Sequence, residues 1–343
     1  MNMDFSRKLI AWQRLHGRHA LPWQGTRDPY RIWVSEIMLQ QTQVAAVIPY
    51  YQRFMSRFPE VQSLAGASEE QVLTNWAGLG YYARGRNLHR AARQIVENHA
   101  GKFPRKFDAI LALPGIGRST AAAISAFAYG ERCAILDGNV KRVLTRAFGI
   151  AGWPGDRQVE TRLWQLAESQ LPAQKIEAYT QALMDLGATI CTRGKPKCGL
   201  CPLAQDCIAQ RENRTGQLPE ARPRKPVPQR SVTMMLLRHG RDILLQKRPA
   251  SGIWGGLWSL PETEIAPEAA CLQLTGHVPE ATKCLPVFTH TFTHFRLEIS
   301  PIEITLPKLP QAAMSPGAVW MDVNEAIDAA IPKPVKTLLE KLC

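Results

Sequence analysis

Four of the eight cysteines in this chain, Cys191, Cys198, Cys201 and Cys207, fall within seventeen residues, with six, two and five residues between successive members. Thiols crowded this closely in a chain that starts without a signal-peptide-like apolar segment point to a metal centre rather than to disulfides. Four thiolates suit zinc as well as an iron–sulfur cluster, so spacing alone leaves the metal open. Glu36 is a second chemical candidate. It lies in the apolar stretch RIWVSEIMLQQTQ, and its helical neighbours Ile32, Trp33, Leu39 and Gln40 are not cationic. A carboxylate so placed either turns to solvent or occupies a partly apolar site that favours its protonated form. A third candidate is the run from Leu113 to Arg142. Pro114, Gly115 and Gly117 make a tight turn into an Ala-rich helical stretch, and backbone N–H groups at such a turn suit one phosphate of a nucleic acid, although an ordinary helix connection reads the same way. After the short apolar run Cys133 to Leu136, Asp137 opens another helical pattern, where its side chain would serve as the cap.

The elements that must carry these groups are mostly helical as far as the cysteines. Apolar spacing predicts helices over 5–15, 31–43, 44–58, 84–99, 118–129, 139–148, 157–169 and 173–190, and Ser68 with Gln71 predicts a capping box opening another through Ala77. Gly78 and Gly80, followed by Tyr81 and Tyr82, break the last of these. Residues 210–231, with four prolines and clustered arginines, read as a linker. Beyond it the texture becomes strand-like at 232–237, 243–246 and 287–299, and HTFTHF (His290 to Phe295) would turn as a hairpin tip.

Charge separates the same regions. Residues 1–150 hold twenty Lys/Arg against ten Asp/Glu and residues 209–230 six against two, while the rest is near neutral and the whole chain carries +13. A polyanion such as DNA is the natural partner of such a field. The absence of any apolar stretch of about eighteen residues argues against a membrane partner.

LPGIG with LDGNVKR resembles the helix–hairpin–helix base-excision DNA glycosylases, and the 6-2-5 cysteine pattern resembles the [4Fe–4S] loop of that superfamily. The part after the linker, with RPASGIWGGLWSLPE, resembles the Nudix fold but lacks the REx-x-EE carboxylates of Nudix hydrolases. Together these resemblances span nearly the whole chain and point to the adenine glycosylases of the MutY type. They imply a mainly α glycosylase domain over 1–208 closed by the cluster loop at 191–207, a basic linker over 209–230, and an α+β Nudix-like domain over 231–343 that binds 8-oxoguanine without hydrolysing nucleotides.

The resemblance also implies roles. Glu36 would be the general acid, Asp137 the carboxylate that stabilises the sugar cation, and Asn139 its partner. Gly115 and Gly117 would hold the DNA backbone, Gln41 and Tyr81 would enter the duplex, and Gln181 with Asp185 would contact adenine. Phe292, Thr293 and His294 match the Phe-Ser-His loop that reads 8-oxoguanine, with threonine in place of serine. Ser119 stands where glycosylase/lyases carry their Schiff-base lysine, which implies base removal without efficient strand cleavage, Lys141 remaining as a source of slow nicking. The expected substrate is double-stranded DNA with adenine opposite 8-oxoguanine or guanine, and the expected setting a monomer on the nucleoid of a bacterial-type cytoplasm. Two other classes compete: a damage-binding or iron–sulfur sensor module without turnover, and a Nudix-type nucleotide pyrophosphatase.

Overall fold

The computed structural model describes residues 3–223, 227–249, 251–292, 294–310 and 317–342. Packing divides it into two compact units, the first formed by residues 1–67 and 87–224, the second by 68–86 and 225–343. Residues 68–86, placed by the sequence reading inside the N-terminal domain, therefore pack with the C-terminal part.

The first unit is helical: α1 (Met3–His16), α2 (Pro29–Leu39), α3 (Val44–Arg57) and α4 (Val61–Ala65) precede the excursion into the second unit, where α5 (Glu69–Trp76) lies. Helix α6 (Ala83–His99) returns the chain, followed by α7 (Phe107–Leu111), α8 (Arg118–Tyr129), α9 (Gly138–Ala147), α10 (Arg157–Ser169), α11 (Ile176–Asp185) and the short α12 (Ile208–Arg211). Helix α2 starts where the sequence stops any other course: the Asp28 side chain accepts the Tyr30 N–H and Pro29 occupies the first turn. It then buries Ile32, Trp33, Val34, Ile37 and Met38, which makes it a central helix of the unit. Its end is earlier than the periodicity predicts. The helix stops at Leu39 because Gln41 adopts φ +57, a left-handed conformation that no helix continues through. The helix expected over 173–190 is likewise shorter, ending at Asp185 in a π-helical turn, Leu186–Ile190.

The core that matters for the site gathers Ala122, Ala126, Ile135, Leu136, Val140, Leu144, Tyr179 and Leu183 from α8, α9, α11 and the extended run between α8 and α9. Small alanines on α8 let α2 and α11 both lie close to it.

The second unit is built on β1 (Gln229–His239), β2 (Asp242–Lys247), β3 (Trp258–Ser259), β4 (Glu262–Thr263), β5 (Ala281–Cys284), β6 (Phe288–Thr291), β7 (Arg296–Thr305) and β8 (Ala318–Asp322), with α13 (Pro267–Thr275), α14 (Val323–Asp328) and α15 (Lys333–Leu339). The strands form one mixed sheet of order β3-β2-β1-β7-β5, in which β1 and β7 run parallel from Gln229 opposite Arg296 to Arg238 opposite Thr305. The alternating stretch at 287–299 resolves into the hairpin of β6 and β7, closed at its tip by Phe292 N–H donating to Phe295 O at 2.9 Å. No helix among the described residues is long and apolar enough to cross a membrane.

Candidate active site and iron–sulfur loop

Glu36 is the half-buried residue on an otherwise buried face of α2, and it opens onto a cleft of about 650 Å³ in the first unit. Trp23, Ser35, Leu39, Gln181 and Met184 line this cleft with it. Burial pushes the Glu36 carboxyl up to about 8, and the nearby charge of Asp137 adds to the effect. At neutral pH this group carries its proton.

Asp137 caps α9, accepting the Val140 N–H at 2.8 Å. Burial pushes its carboxyl up too, but the N–H groups of Val140 and Asn139 and the cations Arg142 and Lys141 pull the other way. Glu36 has no such donors or cations, so a negative charge is better supported on Asp137 than on Glu36. The run leading into Asp137 is pinned from α8: Ser119 Oγ accepts the Leu136 N–H at 3.0 Å. Helix α2 is tied to the same helix by Gln40 Nε2 donating to Thr120 Oγ1 at 3.3 Å. The Lys141 ammonium is engaged with Glu160 at 2.6 Å.

Gln181 and Asp185 part company. Gln181 lines the cleft, whereas the Asp185 side chain is 1% exposed and accepts Arg18 N–H at 2.8 Å, Arg18 Nε at 2.6 Å and Gln181 Nε2 at 2.9 Å. Its oxygens are thus occupied, and the last of these bonds holds the Gln181 amide nitrogen. Arg18, which makes this possible, was not singled out in the sequence.

Gly115 takes φ +79, and a Cβ there would lie 2.8 Å from Asn87 Cβ, so the hairpin needs glycine on both counts. Gly117 caps α8 with nothing within 4 Å of where a side chain would stand, which leaves the helix N-terminus open to an anion. Gln41 is exposed in its left-handed conformation.

Behind Asp137, α9 faces the cysteine loop. Asn139 Oδ1 accepts Arg142 Nη2 at 2.8 Å, and the same guanidinium donates to Gly187 O at 2.7 Å and Cys191 O at 2.7 Å. One turn on, buried Arg146 donates to Thr192 O at 2.7 Å, Arg193 O at 3.1 Å and Leu218 O at 2.8 Å, and approaches Cys191 Sγ at 3.4 Å. The four cysteines line one small cavity with Arg146. Among the described residues no three His, Cys, Asp or Glu side chains converge on a single ion. Four thiols around one cavity suit a cluster in which each binds its own iron. The arginines at i and i+4 of α9 were a legible signal that the sequence reading passed over.

In the second unit Tyr81 is 46% exposed and also left-handed, at φ +49. Phe292 stacks on Phe295 at 4.5 Å and lies 5.5 Å from Trp254, and the His294 ring is 6.3 Å from that of Phe292. Thr293 lies outside the described residues.

Comparison with known proteins agrees with this architecture. Residues 34–169 match the HhH-GPD superfamily base excision DNA repair proteins, residues 191–207 the iron–sulfur binding domain of endonuclease III, and residues 232–341 the NUDIX domain. The adenine DNA glycosylase of Buchnera aphidicola (from Acyrthosiphon pisum) is 38% identical, over 98% of this chain and 97% of its own length. The chain belongs to the adenine DNA glycosylase family. Homo sapiens adenine DNA glycosylase is 35% identical over 97% of this chain and 72% of its own. A thermostable thymine-DNA glycosylase of known structure superposes with a TM-score of 0.55 at 31% identity, over 61% of this chain and 95% of that one. As in its family, the loop from Cys191 to Cys207 holds a [4Fe–4S] cluster, and the substrate is DNA.

Proposed function

We propose that this glycosylase removes adenine paired with 8-oxoguanine, and with guanine, by hydrolysing the N-glycosidic bond. The observation that carries this reading is the pair of buried carboxyls, Glu36 at the cleft with its carboxyl pushed up to about 8 and Asp137 on the N-cap of α9, where helix N–H groups and two cations oppose the effect of burial. Adenine leaves poorly as an anion, so Glu36 donates its proton to a ring nitrogen while the bond from C1′ to N9 breaks. Asp137 stabilises the cationic sugar that results, by its charge or by transient bonding at C1′. Glu36, now a carboxylate, takes a proton from the water that attacks C1′. Free adenine and an abasic site are the products.

Gln181, its amide turned by Asp185, accepts from the adenine amino group, and Asn139 keeps the Asp137 end of α9 in place through Arg142. Gly115 and Gly117 hold a phosphate, while Gln41 and Tyr81 enter the duplex where the base leaves it. Phe292, Thr293 and His294 read the opposite 8-oxoguanine. The functional division runs as 1–208 for catalysis, 209–230 for the basic linker and 231–343 for recognition. Cys191, Cys198, Cys201 and Cys207 hold the cluster, whose role is structural: it fixes a loop that exposes Arg193, Lys195 and Lys197 toward DNA. The enzyme works as a monomer on the nucleoid of a bacterial cytoplasm.

Ser119 carries a hydroxyl and no amine, and the Lys141 ammonium is paired with Glu160, so neither is set to form an imine for strand cleavage. The test is a single-turnover reaction with a duplex containing adenine opposite 8-oxoguanine, quenched with and without hot alkali. Breaks that require alkali are expected. Breaks without it would show a lyase, and no product at all would leave only a binding protein.

A further inference from the structure

Helix α5 and the loop after it pack with the second unit, and that loop presents Tyr81. Several anchors hold the segment to the β-strands. Leu73 is 1% exposed within the apolar cluster of Met234, Leu236 and Leu257. Glu70 Oε1 accepts the Trp258 indole N–H at 2.8 Å, and Lys247 reaches the same carboxylate at 3.7 Å while lying 4.7 Å above the Trp258 ring. Arg86 donates to Gly255 O, and Tyr82 Oη approaches Ile331 O at 3.5 Å. The loop itself is braced as well: Trp76 Nε1 donates to Gly80 O at 3.1 Å, Arg84 to the same oxygen at 3.2 Å, and the Arg84 guanidinium lies 5.3 Å from the centre of the Tyr81 ring. A left-handed tyrosine persists only where its surroundings impose it.

We propose that the C-terminal β-unit positions the inserting Tyr81, with Leu73 and Glu70 as the positioning residues through which it does so. The proposal rests on the reading that Tyr81 enters the duplex. A ring that replaces lost base stacking binds more tightly when its backbone is already fixed, because the ordering cost is not charged to the encounter. The strands that carry Phe292 and His294 and the loop that carries Tyr81 thereby form one element, which links reading of the opposite base to entry beside it.

The experiment is a double-mutant cycle in the full-length, cluster-loaded protein, reading affinity for a duplex with adenine opposite 8-oxoguanine, alongside thermal unfolding. Tyr81→Ala is expected to weaken affinity roughly tenfold, the loss of one base–aromatic stack. Leu73→Ala and Glu70→Ala are each expected to weaken it by about threefold in the parent and not further in the Tyr81→Ala background, as coupled positions do. Glu70→Gln, which keeps an oxygen acceptor for Trp258, should restore the parent value. Equal losses in both backgrounds, or no loss in the parent, would overturn the positioning role. Should Leu73→Ala fail to fold, exposed Glu70 decides alone. An unchanged affinity for Tyr81→Ala would overturn the insertion reading and this proposal with it, whereas a loss there with additive partners strikes only the proposal.

Discussion

Glu36 and Asp137 are close enough to feel each other's charge, and what distinguishes them is the company each keeps. Burial dominates at Glu36 and places its carboxyl at about 8, while Asp137 has helix N–H groups and two cations on its side. In the proposed mechanism excision needs Glu36 protonated, so its single-turnover rate should be level up to mildly alkaline solution and then fall about tenfold per pH unit above about 8. Stability follows from the same shift. The folded carboxyl is raised from 4.5 to about 8, so the stability tied to its proton is complete below the lower value and is lost as pH rises through the upper one. Glu36→Gln, which stays neutral throughout, should therefore melt above the parent at pH near 8 and level with it near 4.5, as calorimetry at the two pH values would show. The same variant should bind substrate duplex normally and excise adenine slower by roughly 10²–10⁴-fold, the usual worth of a positioned acid. Asp137→Asn keeps an oxygen to cap α9 and loses only the charge. It should lower the rate by about 10²–10³-fold, comparable with loss of one electrostatic stabiliser, without lowering the melting temperature.

Helix α9 joins the chemistry to the cluster loop: Asp137 caps it, and Asn139, Arg142 and Arg146 reach the π-helical turn and Cys191 from its flank. The close approach depends on Gly187, where a Cβ would stand 2.6 Å from Asn139 Cβ. Gly187→Ala must push the two segments apart. It should cost about 1–3 kcal/mol of stability, as overpacking does, and lower the excision rate while absorbance of the cluster persists. Elements of this kind explain what was legible beforehand. The cysteines stood out by their spacing and Glu36 by its apolar neighbours, the roles of Glu36 and Asp137 came only with the family resemblance, and helix positions followed from apolar period. The end of α2 and the π-turn after α11 did not, because the first hangs on the left-handed backbone of Gln41 and the second lies where Gly187 packs closely against Asn139, and tertiary packing decides both. Asp185 is placed near adenine by the resemblance, and nothing in the sequence announces that its carboxylate accepts from Arg18 and from Gln181. The attachment of 68–86 to the second unit depends on Leu73 meeting strands more than 150 residues away, which no local pattern announces.

At the scale of the whole molecule, the surplus of positive charge is not spread evenly. Residues 1–150 and 209–230 carry it, and 231–343 is near neutral. Binding of DNA by phosphate neutralisation should thus belong to the helical part and the linker, while in the proposed reading the neutral β-unit would contribute discrimination through aromatic and histidine side chains such as Phe292 and His294. The two contributions respond differently to salt, because released counterions report phosphate contacts alone. For the parent protein, log affinity should fall linearly with log salt, with a slope of about −0.9 for each phosphate neutralised. Replacing the linker cation Arg222 by glutamine should flatten that slope by roughly 1 and weaken binding to every duplex alike. Phe292→Ala should leave the slope untouched and instead erase the preference for 8-oxoguanine over guanine opposite the adenine. Titrations of both duplexes by fluorescence anisotropy across several salt concentrations separate the effects. A Phe292 variant that changed the slope would place phosphate contacts in the β-unit, and the division of labour drawn from the charge distribution would then be wrong.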